Sequence, residues 1–113
     1  MNSEIKAILS NLKVDGVSIP TAHLRYKGNS KTYVTWTVIS ENPVLSANDD
    51  DLLSVVQLDI DIFSDGNYSS IVSEVKKRFK ESDWIWVEDS SEMYEEDTEL
   101  YHRTITFEKE RIL

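Results

Sequence analysis

The residues best equipped for chemistry gather in "EDSSEMYEEDTELYHR", Glu88 to Arg103. Residues 88–99 hold seven carboxylates (Glu88, Asp89, Glu92, Glu95, Glu96, Asp97 and Glu99) and no Lys or Arg, and Tyr101, His102 and Arg103 follow at once. Carboxylates beside a histidine can hold a divalent cation, move a proton or orient a catalytic base. A docking surface and a solvated turn are the other readings.

Each chemistry can be tested on spacing. "LDIDIFSDG" looks like a calcium loop, but counting from Asp59 puts Phe63 at position 5 and Ser64 at position 6, where an EF-hand needs an oxygen ligand and Gly. Asp59 and Asp61 read better as solvent-facing residues of an alternating strand. Adjacent carboxylates in "NDDDL", Asn48 to Leu52, could hold a cation weakly, and a solvated loop is the plainer reading. His23 and His102 are the only histidines, both on predicted strands, and no nucleophile elbow accompanies them. Three scattered Gly cannot build a phosphate-cradling loop. For His102 the expectation is a sheet-face histidine paired with a neighbouring acid. No catalytic, cofactor-binding or metal-binding residue is assigned, and the chain is expected not to be an enzyme.

The elements that position these residues follow from hydrophobic period. Ile5, Ile8, Leu9 and Leu12 have helical spacing over residues 3–13, with Ser3 as N-cap and Gly16 beyond the end. Ala22, Leu24 and Tyr26 alternate with polar residues. Gly28-Asn29-Ser30 has turn chemistry, and Tyr33 to Ile39 is β-branched and aromatic, so a β-hairpin is expected. Residues 40–51 read as a polar loop. In Leu52 to Phe63, Val56, Leu58, Ile60 and Ile62 point one way and Gln57, Asp59, Asp61 and Phe63 the other, which fits a sheet covered on one side. Tyr68, Ile71, Val72, Val75 and Phe79 form one face of a helix over 67–81, capped by Asp65 or Asn67. "WIWV", Trp84 to Val87, and Leu100 to Glu108 are strands. The order α-β-β-β-α-β-β gives an α+β fold. A mostly antiparallel sheet of four or five strands carries two helices on one face.

Composition bounds the rest. A chain of 113 residues, 40% hydrophobic, reads as one domain over 1–113. A net charge of -9 argues against tight nucleic-acid binding and favours basic partners. The absence of Cys excludes a disulfide scaffold and thiolate chemistry. The N-terminus has no signal-peptide pattern, and no apolar run suits a membrane span. Trp84 and Trp86 share one face of their strand, and Ile85 and Val87 share the other. Core packing explains one apolar face, and a subunit interface would explain the second.

"YVTWTVISENP", "VQLDIDIFSDGNYSSIVSEVKKRF" and "YEEDTELYHRTITF" together resemble the small tail-completion, or tail-terminator, proteins of long-tailed bacteriophages and prophages. The likeness covers residues 20 to 108 and is most specific at Asp61 to Tyr68 and Tyr94 to Phe107. It implies a structural subunit that forms a ring, typically a hexamer, at the head-proximal end of the tail tube. The ring stops tube growth and meets the head–tail connector proteins. It also implies a place in the virion tail, with assembly in the bacterial cytoplasm from subunits that are monomers or rings. For the acidic run, either the flanking strands extend into it or it projects, suiting a neighbour's Arg25, Lys27 and Lys31. The expected subunit interface comprises Arg25, Lys27, Lys31, Trp84, Trp86, Glu95, Glu96 and Asp97. The alternative is an acidic inhibitor or adaptor that binds one basic partner.

Overall fold

The computed structural model describes residues 2–45 and 52–112. Helix α1 spans Asn2–Ile8, and a two-stranded ladder of β1 (Lys13–Val14) and β2 (Val17–Ser18) follows. Strands β3 (Thr21–His23), β4 (Tyr33–Leu45) and β5 (Leu52–Ser64) lead into helix α2 (Ser69–Glu81). Strands β6 (Ile85–Asp89), β7 (Met93–Glu95) and β8 (Leu100–Ile112) complete the chain. The main sheet runs β3-β4-β5-β8-β6, with β7 also paired to β8. This is the expected α+β fold, with a sixth strand and a small extra ladder.

Both helices cover the same face. Ile5, Leu9 and Leu12 near α1 join Ile71, Val75 and Phe79 of α2 in one buried cluster with Val56, Leu58, Ile60 and Ile62 of β5. Phe79 stacks on Phe107 at 4.7 Å and meets Trp84 edge-on at 5.9 Å. Burying a side chain of this size stabilises by roughly 1.5–3 kcal/mol before the cost of ordering it. Arg78 of α2 donates to the carbonyls of Ile8, Ser10 and Asn11 at 3.0, 2.8 and 3.3 Å. Its guanidinium thus satisfies the last carbonyl of α1, which lacks an intrahelical partner, and two more in the turn that follows.

Several expectations are corrected. The first helix ends at Ile8, and Ser3 lies inside it. Asn11 then takes a left-handed φ of 52°, and Asp15 (φ 52°) and Gly16 (φ 79°) make the two-residue turn of the β1–β2 ladder. α2 begins at Ser69, and the Ser69 N–H donates to Asn67 Oδ1 at 2.9 Å. Residues 40–45 belong to β4 instead of a loop. The loop expected at Asn48–Leu52 lies outside the described residues up to Leu52, which starts β5.

The expected hairpin over residues 22–39 is also wrong. β3 runs parallel to β4, with Thr21 opposite Val34 and His23 opposite Trp36. Leu24 adopts a left-handed φ of 67°, and Arg25 N–H donates to His23 O, so the chain leaves the strand there. Tyr26 then stacks on Tyr33 at 4.5 Å, and its hydroxyl accepts from the Ser30 N–H. A Cβ on Gly28 would lie 2.0 Å from the Tyr26 hydroxyl, so glycine makes room for that ring. The loop folds back on itself, and β4 restarts alongside β3 in the same direction.

Candidate functional site

The acidic stretch lies along an edge of the sheet, in strand at both Glu88–Asp89 and Met93–Glu95. β6 and β7 both run antiparallel to β8 on the side away from β5, with Ser90–Glu92 between them. Ser90 keeps contact across this gap, its N–H donating to Thr104 O and its Oγ accepting from Thr104 N–H. Glu96 to Glu99 form the turn into β8, closed by Glu99 N–H to Glu95 O at 2.8 Å. Of the two arrangements left open by the sequence, the flanking strands do extend into the run.

Two of its acids are engaged. Asp89 pairs with Lys76 at 2.8 Å and accepts the Trp86 indole N–H at 2.8 Å. Desolvation pushes its carboxyl upward, but the bonds from Lys76 and Trp86 outweigh that and hold it below the usual range. A register shift between Trp86 and Glu88 makes this possible. It brings Asp89 opposite Ile105 on the helix-covered face, within reach of α2. Glu92 accepts from the Tyr68 hydroxyl, whose pKa burial and this bond raise. Glu95, Glu96 and Asp97 are exposed and form no ion pair among the described residues.

The same edge concentrates apolar surface. Ile85 is 65% exposed and Trp86 52%, with Val87, Met93, Tyr94 and Tyr101 exposed beside them. Trp84 departs from expectation. It precedes β6, is only 3% exposed and packs into the core, so it offers nothing to a partner. Trp86 is the available tryptophan, with Lys76 Nζ over its ring at 5.1 Å.

Arg25, Lys27 and Lys31 lie exposed in the loop after β3, the opposite edge of the sheet. They form no ion pair among the described residues. Glu95 sits close enough to Tyr33 to help burial raise that phenol's pKa. The acidic and basic groups therefore belong to opposite edges but lie toward the same end of the strands.

The open face of the sheet holds His102 and the aspartates of β5. His102 Nε2 lies 2.8 Å from Asp61 Oδ1, and its ring stacks on Phe63 at 4.2 Å. Phe63 stacks on Tyr33 at 4.7 Å, so Tyr26, Tyr33, Phe63 and His102 form a rib across three strands and the β3–β4 loop. The histidine is paired with an acid on a sheet face, as the sequence suggested. Asp61 also accepts from Thr104 and Asp59 from Thr106. Burial raises the Asp59 carboxyl, with Asp61 and Glu88 adding to the effect and the Thr106 bond opposing it. His23 stacks on Trp36, far along the sheet from His102 in strand order. Among the described residues, no three His, Asp or Glu side chains converge as a metal-binding group. No described helix is long and apolar enough to cross a membrane.

No protein-family model matches the chain, and no curated protein sequence matches it.

Proposed function

We propose that the chain is a non-enzymatic structural subunit that assembles into a ring, six-fold by its resemblance. The ring caps the head-proximal end of a phage tail tube and joins it to the head connector. The observation that carries the self-assembly is the unpaired β6–β7 edge, where Ile85, Trp86, Val87, Met93 and Tyr94 are all exposed on one strand line. An open edge with this much apolar surface invites another strand. Acid at this edge and Arg25, Lys27 and Lys31 beyond the other are unlike patches, and a ring needs unlike patches to meet. The likeness of Asp61–Tyr68 and Tyr94–Phe107 to tail-completion proteins supplies the kind of assembly.

Electron micrographs of tails assembled with and without the protein test this reading. Without it, tubes should overrun their normal length and fail to join heads. Adding the purified protein should stop growth. Normal tails joined to heads in its absence overturn the proposal. The exposed, unpaired Glu95, Glu96 and Asp97 also suit an acidic inhibitor of one basic partner. That reading expects a monomer at every concentration until the partner is added.

A further inference from the structure

The two free edges of the sheet carry complementary equipment on the same face. Beside β3 lies a 480 Å³ cavity lined by Lys6, Thr21, Ala22, His23 and Trp36, among others. Trp36 is 4% exposed, and its indole N–H has no acceptor among the described residues. A buried donor without a partner is costly, so the place favours an incoming acceptor. At the other edge Trp86 stands half exposed and holds Asp89 through its own indole N–H.

We infer that β6 of one copy pairs with β3 of the next, seating Trp86 in the cavity beside Trp36. Asp89 enters with Trp86 and faces Lys6 and the Trp36 N–H. This contact rests on the ring-forming reading above and specifies how neighbouring copies join. Strand direction agrees. β3 is parallel to β4, and the β4–β5, β5–β8 and β8–β6 pairs are all antiparallel. β6 therefore runs opposite to β3, and copies placed in the same orientation pair antiparallel. Side-chain parity agrees as well. Trp86 lies opposite Phe107 and Trp36 opposite Ile60, both on the helix-covered face. A sheet continued from copy to copy brings the two indoles to the same side. An aromatic anchor filling a neighbour's pocket is the usual centre of a binding surface.

Charge selects this occupant over the edge's own twin. Two β6–β7 edges meeting around a two-fold axis would set Glu88, Asp89 and Glu92 against their own copies. The β3 edge instead offers Lys6 and is followed by Arg25 and Lys27.

The chain has no native cysteine, so introduced pairs report without background. Val87→Cys is combined with Ala22→Cys and, separately, with His23→Cys. Each variant is checked for native circular dichroism, oxidised at assembling concentration and run on a denaturing gel. At least one pair should give a ladder of linked copies that collapses on reduction, while the single variants stay unlinked. Trp86→Ala should abolish the ladder. Dimers from Val87→Cys alone show two-fold edge pairing and overturn the inference. Rings in sedimentation without any ladder also overturn it, yet leave the ring reading standing. A wild-type chain that stays monomeric both alone and in the presence of tail tubes removes both.

Discussion

Asp59 illustrates what individual residues reveal and hide. Its place on the wet face of β5 is legible from the alternation of Val56, Leu58, Ile60 and Ile62. Its half-buried state is not, because Thr106 and the neighbouring strands shield it only once β8 pairs with β5. Trp84 and Trp86 make the same point. Two residues apart, they look equivalent, but the helix–strand turn draws Trp84 under α2 while the edge leaves Trp86 outside. For Asp59 the raised carboxyl means that the folded state binds its proton more readily than the unfolded chain. Its charge therefore costs stability above the folded pKa, and the cost disappears as pH falls below the unfolded value of about 3.9. Glu4, held low by its bond from Lys109, and Asp89 have the opposite sign. Their contribution is present above the unfolded value and is lost as pH falls through their folded values. Asp59→Asn keeps an acceptor for Thr106 and removes the charge. It should gain about 0.5 kcal/mol at pH 7, and this gain should vanish by about pH 3. Denaturant midpoints at the two pH values check this. An equal change at both would show that charge is not the cause.

Elements with a long, clean period are the ones the sequence displays. α2 and β5 bury one continuous stripe each, so their apolar spacing survives in the primary structure. The β1–β2 ladder is hidden by its brevity, although Asp15-Gly16 is the dipeptide such a turn needs. β3 misleads for a different reason. Alternation in residues 22–27 says nothing about direction, and the turn residues Gly28-Asn29-Ser30 serve a loop that folds back through the Tyr26–Tyr33 stack. The joint between the two helices was likewise invisible, since Arg78 looks like one of four cations near a helix end. Its three bonds to carbonyls at the end of α1 and in the turn after it link segments about 70 residues apart. Arg78→Ala leaves those carbonyls without protein donors and should cost about 2 kcal/mol. Arg78→Lys should recover less than half, because an ammonium cannot reproduce the planar fork. Urea unfolding of both variants measures this, and a loss below about 0.5 kcal/mol for Arg78→Ala would mean that water replaces the guanidinium at no cost.

At the scale of the whole molecule the net charge of -9 sets a conflict, because copies of an acidic chain repel each other. In the proposed ring, association would overcome that repulsion locally, with the acidic β6–β7 edge of one copy set against the cations after β3 of the next. The apolar strip at Ile85 and Trp86 would then hold what the charges align. Charge at such a contact governs orientation and encounter more than affinity. Raising salt should slow assembly without abolishing it, since exposed charges are screened beyond about 8–10 Å while apolar contacts are not. Replacing Arg25, Lys27 and Lys31 by Glu should block assembly and leave the circular dichroism unchanged, for all three are exposed. That result alone is ambiguous, because the variant is also more acidic overall. Replacing Glu95, Glu96 and Asp97 by Lys resolves it. If general repulsion governed, this less acidic variant would assemble better than the natural chain. If the two patches meet, it should assemble worse. Mixing the two reversed variants should then restore contacts between unlike copies, and combining both reversals in one chain should restore the ring at the native net charge. Light scattering across this set separates the two accounts, and improved assembly of the acid-reversed variant alone would refute contact between the patches.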